Sequence, residues 1–264
     1  MNGSRLSRND ITELRELARS SSLRNEMRQV VVEGYRAISG AKLSGARFRS
    51  ILVTDQEDTR VASIDADKYV VDSAALERIA TTTNPQHAVA ICDMPITNVD
   101  DIVSGKLSKE PIFILDNVSD PGNVGTIIRS VVAFGLGAIV TVGGCDAFHP
   151  KVVRSSAGTI FGCPILPVDE YELADALKRR EVFAAAAPIP GEEAVTLDQC
   201  SFPQNAAVVF GNEAHGIITP YFENNTRPFS IPMAELCESL NVAMTATIVA
   251  YHLAASRTRK SSNS

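Results

Sequence analysis

The sequence predicts an α/β protein of two domains, a small N-terminal one and a larger C-terminal one built on a parallel sheet. Three observations carry that expectation. A chain of 264 residues is long enough for two modest cores. A polar, punctuated stretch, ITNVDDIVSGKLSKEP, interrupts the patterning near residues 95–110. Beyond it, short continuous apolar runs alternate with helix-like segments, as parallel strands covered on both faces require. The expected divisions are 1–95, a linker at 96–110, a second domain at 111–258 and a flexible, polar and basic tail at 259–264.

In the first domain NDITELRELARS spaces Ile11, Leu14 and Leu17 on one helical face, with Asn9 or Asp10 able to cap its start. RQVVVEG, RSILVTD and KYVV read as strands, and SAALERIA as a short helix capped by Ser73. In the second domain IFILD, AIVTVG, ILPVD, VFAAAA and AAVVFG are the strand candidates. GNVGTIIRSVVAFG, KVVRSSAGTIFG, YELADALKRR and SLNVAMTATIVAYHLAAS are the helical ones. In such a sheet, ligands bind at the loops that follow the carboxyl ends of the strands.

Hydrophobic residues make up 45% and charged residues 21%, the balance of a globular protein rather than a disordered one. No apolar run approaches the roughly 20 residues of a membrane span, and the first residues lack the apolar centre of a signal peptide. A cytoplasmic location is therefore expected. The five cysteines are scattered and form no C-x-x-C pair, and the histidines show no ligand spacing, so reduced thiols and no metal are expected. The net charge of −6 is unevenly spread: residues 1–50 hold ten Lys/Arg against five Asp/Glu, and the remainder 15 against 26. Basic residues of the first segment, among them Arg24, Arg28 and Arg36, could neutralise phosphates, or could simply form a solvated helix face.

Three loops in the second domain are rich in small and polar residues: DNVSDPGNVGTIIR, GNEAHGI and IPMAELCESLN. The first lacks the G-x-G-x-x-G spacing of a dinucleotide turn. Taken singly, each has a plain reading. Asn123 could cap a helix that carries a surface Arg129, Glu213 could be a turn carboxylate, and Ser239 could cap the last helix ahead of Asn241.

Taken together, the loops resemble, in order and spacing, the three motifs of the SpoU/TrmH family of RNA ribose 2'-O-methyltransferases, within the SPOUT superfamily. Asn123, Gly125 and Arg129 match the first motif. Gly211, Asn212, Glu213 and Gly216 match the second, and Ile231, Pro232, Met233, Glu238, Ser239, Leu240 and Asn241 the third. The segments LARSSSLRNEMRQVVVEGYRAISGA and TTTNPQHAVAI are similar to the ribosomal-protein-like substrate-binding domain of family members that act on ribosomal RNA. One position departs: Glu235 stands where the family usually has glycine, and a larger, charged residue there is expected to narrow the cofactor loop or alter a subunit contact.

The resemblance implies a SPOUT domain with a trefoil knot and S-adenosylmethionine as methyl donor, contacted at Gly211, Ile231 and Leu240. It implies catalytic roles for Arg129, Asn123, Glu213, Ser239 and Asn241. Because a guanidinium is too weak an acid to give up its proton, Arg129 is expected to orient the hydroxyl and stabilise developing charge. Asn123 and Asn241 would orient the ribose and Arg129, and Glu213 would fix Arg129 or the substrate. The expected partners are RNA, most of all large-subunit ribosomal RNA, and a second copy of the chain in a homodimer whose arginine completes the site. Transfer RNA as substrate, or a catalytically silent RNA-binding or ribosome-assembly factor, are the alternatives. The base cannot be read, because the methylated atom lies on the sugar.

Overall fold

The computed structural model describes residues 6–55, 58–82, 87–95, 97–186, 195–222, 226–234 and 236–262. The chain forms two compact units, Met1–Pro95 with Asp146–Gly162, and Ile96–Cys145 with Cys163–Ser264. Elements are numbered along the whole chain.

The first unit opens with α1 (Arg8–Arg19) and α2 (Ser21–Met27). Helix α1 is capped by Ser7 rather than by Asn9 or Asp10. Ser7 Oγ accepts from Asp10 N at 3.2 Å while Asp10 Oδ2 accepts from Ser7 N at 2.7 Å, and only this three-residue spacing closes both bonds. Strands β1 (Gln29–Glu33), β2 (Phe48–Val53), β3 (Asp67–Val70) and β4 (Ala88–Asp93) form a sheet ordered β1-β4-β2-β3, with β4 antiparallel to both neighbours. Leu17 and Ala18 of α1 join Leu76 and Ile79 of α4 (Ser73–Ile79) in one core with Val31, Leu52, Val89 and Ile91. Each buried Leu or Ile contributes about 2 kcal/mol. Asp72, not Ser73, caps α4, accepting from Ala75 N at 2.7 Å; its carboxylate also suits the positive helix end.

Helix α3 (Tyr35–Leu43) packs on the turn Thr159–Gly162, and α7 (Pro150–Ser155) packs on β1. The segment KVVRSSAGTIFG, expected as one helix, is broken because Ala157 (φ 52°) and Gly158 (φ 81°) are left-handed. A Cβ on Gly40 would stand 1.8 Å from the Ala157 carbonyl oxygen, so α3 and this turn meet at backbone distance. Two ion pairs hold the segment. Arg154 meets Glu33 at 3.2 Å, and Glu33 also accepts from Thr81 N at 2.8 Å. Arg24 meets Asp146 and donates to the Leu17 and Ala18 carbonyls at 2.8 and 3.2 Å. Arg24 is only 1% exposed, which corrects its expected place on an RNA-binding face: its charge is consumed inside the fold. Arg28 and Arg36 are exposed.

Tyr35 lies under the Arg60 guanidinium, 3.6 Å from its ring centroid, and both donate to Asp58. The hydrogen bond from Arg60, aided by Tyr35 and outweighing burial, lowers the Asp58 carboxyl to about 2. A depressed carboxyl stabilises the fold above its unfolded range, near pH 4, and loses that contribution as pH falls through its folded value. Asp58→Asn should therefore lower the urea midpoint at pH 7, with the deficit closing only as pH falls from about 4 towards 2. An unchanged deficit at pH 2 and pH 7 would count against the assignment.

The second unit contains α5 (Val99–Val103), β5 (Ile112–Asp116), α6 (Pro121–Ala133), β6 (Ala138–Val142), β7 (Ile165–Val168), α8 (Glu170–Leu177), β8 (Val182–Ala185), β9 (Ala207–Phe210), β10 (Arg227–Phe229) and α9 (Val242–Ser262). Its six strands are ordered β10-β8-β9-β5-β6-β7 and every pairing is parallel. Strand β10 carries Pro228 and lies at the sheet edge, where a missing backbone donor is tolerated. Residues 96–110, expected as a linker, instead contain α5 and bury Ile102 and Leu107 in the sheet core. Two apolar side chains five apart leave no periodic trace. Arg180 fixes this turn by donating to the carbonyls of Ile102, Leu107, Glu110 and Asn205 at 3.0, 2.7, 2.6 and 2.9 Å. Helix α9 runs on to Ser262, into the expected tail. No helix among the described residues is long and apolar enough to cross a membrane.

Cys92 and Cys163 are buried and Cys237 is exposed. Burial raises both buried thiols, that of Cys163 to about 12.

Candidate active site

Strand order reverses beside β5: the chain runs from β5 to β6 and β7 on one side, then crosses to β8 and β9 on the other. The carboxyl ends of β5 and β9 are thereby neighbours, and their loops open into one crevice. Asp116, 0% exposed at the end of β5, clamps them together. Its carboxylate accepts from Ile218 N at 2.6 Å, Thr219 N at 3.0 Å, Asn117 Nδ2 at 2.9 Å and the Thr219 hydroxyl.

Helix α6 is capped by Asp120, with Pro121 in its first turn; Asp120 Oδ1 accepts from Gly122 N at 2.5 Å and Asn123 N at 3.0 Å. Asn123 is therefore not the cap, and its side chain is available for other work. At the other helix, Asn241 Oδ1 accepts from Ala243 N at 2.9 Å and Met244 N at 3.3 Å, so Asn241 rather than Ser239 caps α9. Ser239 is exposed at the mouth of the adjoining cavity.

These caps fix the sense of a chain of hydrogen bonds. With its oxygen committed to α9, Asn241 donates Nδ2 to Asn123 Oδ1 at 3.0 Å. Asn123 must then donate Nδ2, and does so to Glu213 Oε1 at 2.8 Å. Glu213 also accepts from Ser119 N at 3.3 Å and Asp120 N at 3.2 Å. Burial pushes its carboxyl up, but the Asn123 and backbone hydrogen bonds outweigh this and the net shift is downward, which keeps Glu213 an anionic acceptor.

Glu213 thus fixes the first loop and Asn123, not Arg129. Arg129 is exposed on α6, and its guanidinium has no hydrogen bond or ion pair with another described residue. The expected contacts of Asn123 and Asn241 with Arg129 are likewise not made.

A cavity of about 530 Å³ opens beside this chain. Gly211, Ile231 and Leu240 line it, together with Phe210 and Phe229 on its apolar side, while Glu213 and Asn241 stand at its polar side. Gly211 admits no side chain, since a Cβ would lie 2.2 Å from the Gly216 backbone. The volume and the mixture of apolar walls with a few polar groups suit a small organic cofactor. Glu235 lies outside the described residues, so its effect on the cavity stays with the sequence expectation. Among the described residues no group of His, Cys, Asp or Glu could hold a metal ion.

Three loops distant in sequence are thus joined by two side-chain hydrogen bonds at one cavity. Residues 110–251, which contain all three, match the SpoU rRNA methylase family. The chain belongs to that family. Residues 8–90 match the MRM3-like substrate-binding domain. Two relatives are similar over most of their length. The 23S rRNA (guanosine(2553)-2'-O)-methyltransferase RlmP of Bacillus subtilis is 29% identical, over 87% of this chain and 90% of that one. The 23S rRNA (uridine(2479)-2'-O)-methyltransferase of Streptomyces viridochromogenes is 29% identical, over 84% and 81%. The SpoU methyltransferase AviRb of Streptomyces viridochromogenes, solved in complex with AdoMet, shares the fold with a TM-score of 0.82 at 24% identity, covering 96% of this chain and 99% of that one.

Sequence reasoning missed Asp116 and the capping role of Asn241. The one available signal for Asp116 was a carboxylate closing the apolar run IFILD.

Proposed function

We propose that this SpoU methylase transfers a methyl group from S-adenosylmethionine to a ribose 2'-hydroxyl of 23S-type ribosomal RNA, in the cytoplasm where that RNA resides. The carrying observation is the Glu213–Asn123–Asn241 chain at the mouth of the cavity, with the unengaged guanidinium of Arg129 on the helix that presents Asn123. Both relatives named above act, by their names, on 23S rRNA ribose, one at guanosine and one at uridine. Gly211, Ile231 and Leu240 would hold the cofactor. When bound it supplies an electrophilic methyl on a sulfonium, so the protein has to position the hydroxyl and aid its deprotonation.

In this reading Asn123 and Asn241 form a rigid polar edge, held by Glu213 and by the start of α9, that sets where the ribose can sit. Arg129 faces the nucleotide and stabilises charge developing on the attacking oxygen and its neighbouring phosphate. Ser239 at the cavity mouth contacts the ribose. A second copy of the chain covers α9, where Met244 and Tyr251 are each 62% exposed and Ile248 is 39% exposed at helical spacing, and its arginine completes the site. The knot of the family is part of the same reading: from the β10 edge the chain has to recross the carboxyl ends of the strands to bring Asn241 against Asn123.

The first unit is the RNA-docking part, with Arg28 and Arg36 as its phosphate contacts. Deletion of residues 1–95 would not test this, because Asp146–Gly162 packs within that unit. Arg28→Glu with Arg36→Glu should weaken RNA binding about tenfold and flatten the salt dependence by about one unit of slope per residue, with cofactor affinity intact. Unchanged RNA affinity and slope would remove both residues from the interface. Tritiated methyl transfer to separated ribosomal and transfer RNA tests the substrate directly. Label in ribosomal RNA is expected; label confined to transfer RNA, or no label, would reject it.

A further inference from the structure

Within GNEAHGI the side chain of Asn212 has no freedom of orientation. Its Nδ2 donates to the Asn117 carbonyl at 2.8 Å and to Ser119 Oγ at 2.9 Å, and its Oδ1 accepts from Ala214 N at 2.9 Å and His215 N at 3.1 Å. His215 Nδ1 lies 3.2 Å from that same oxygen. Since the oxygen can only accept, Nδ1 must carry the proton, and a neutral His215 holds its lone pair on Nε2. The ring is exposed, one residue from Gly216 and bonded to Asn212, both of which line the cavity.

A ribose hydroxyl that is methylated must lose its proton, and the groups along the polar edge of the cavity are poor takers. Arg129 is a cation. The amides of Asn123 and Asn241 are committed to each other, to Glu213 and to α9. Glu213 is a weakened base, because three donors already hold its anionic form. The charged groups on the elements fastened to this loop are Asp116, Asp120, Glu213 and Arg129, with Glu238 on the third loop. His215 alone among these groups offers an imidazole lone pair, the nitrogen acceptor that a general base needs.

We propose that Nε2 of His215 accepts the proton of the ribose 2'-hydroxyl, with Asn212 fixing the tautomer that makes this possible. This rests on the 2'-O-methyl transfer reading. As the bond from O2' to the methyl carbon forms and the carbon–sulfur bond breaks, the hydroxyl proton moves to Nε2. The products are a neutral methyl ether, a neutral thioether and an imidazolium that returns its proton to water.

Two measurements test it on the full-length protein. Nitrogen-15 NMR of histidine-labelled protein, with His215 assigned by its loss in His215→Gln, should show a protonated Nδ1 and an unprotonated Nε2; the opposite tautomer overturns the proposal. In single-turnover assays His215→Gln should be about 100-fold slower, with cofactor and RNA dissociation constants within about twofold of wild type, and added imidazole should restore part of the rate of His215→Ala. A wild-type rate in His215→Gln, or a slow rate explained by lost RNA affinity and not rescued by imidazole, overturns it. Failure of the underlying reading is visible separately, as absence of ribose methylation by the wild-type protein before any variant is compared, and it removes the proposal as well.

Discussion

Arg129→Ala is expected to slow methyl transfer by about 1,000-fold, the scale of losing a group that stabilises charge in the transition state. The exposed guanidinium is not engaged with any other described residue, so its removal breaks no contact that holds α6. The helix keeps its Asp120 cap and its packing through Ile127, Ile128 and Val131, all buried. Thermal midpoint and cofactor affinity should therefore match the wild type while single-turnover rate collapses. Arg129→Lys should recover little, since a point charge lacks the planar fork that can bridge a hydroxyl and a phosphate. A normal rate in Arg129→Ala would remove the residue from the mechanism, and a lost fold would make it structural.

Asp116→Ala should have the largest effect on stability. The side chain is fully buried and accepts from two backbone N–H groups, one amide and one hydroxyl. Truncation leaves the two fully buried donors, Thr219 N and its hydroxyl, without an acceptor, each at a cost of about 1–3 kcal/mol, while the partly buried Ile218 N and Asn117 amide can turn to water. A total near 3 kcal/mol corresponds to a fall of roughly 10 °C in thermal midpoint for a domain of this size. Because Asp116 also ties the start of the first loop to the end of the second, cofactor binding should weaken in step. Asp116→Asn, which keeps one acceptor oxygen, should cost less than half as much. Equal midpoints for Asp116→Ala and wild type, measured by calorimetry, would contradict the clamp.

What the sequence made legible follows from physics with a short range. IFILD and AIVTVG announce buried parallel strands because both faces are covered, so every residue is apolar. The three polar loops were visible as places where small and polar residues interrupt that pattern, and their order carried the family resemblance. Caps were read one to three residues off. Ser73 and Ser239 are plausible caps by type, but Asp72 and Asn241 stand where a side-chain oxygen reaches the first free N–H groups. For Asn123 the plain capping alternative falls away: with Asp120 as cap, Asn123 becomes the central link of the site.

Longer-range facts were out of reach. Nothing local distinguishes Arg24 from Arg28, yet one is paired with Asp146, 122 residues away, and the other faces solvent. Likewise, neither the grouping of Asp146–Gly162 with the first 95 residues nor the burial of Ile102 and Leu107 leaves a periodic signal. Both depend on backbone approach and carbonyl pairing, at Gly40 in one case and Arg180 in the other.

The most direct test of the central assignment is ribose-methylation mapping of ribosomal RNA incubated with S-adenosylmethionine and either wild-type protein or Arg129→Ala. A discrete 2'-O-methyl position in the large-subunit RNA, present with wild type and absent with the variant, is the predicted result. Methylation of a base, or no ribose methylation in any RNA, would contradict the account.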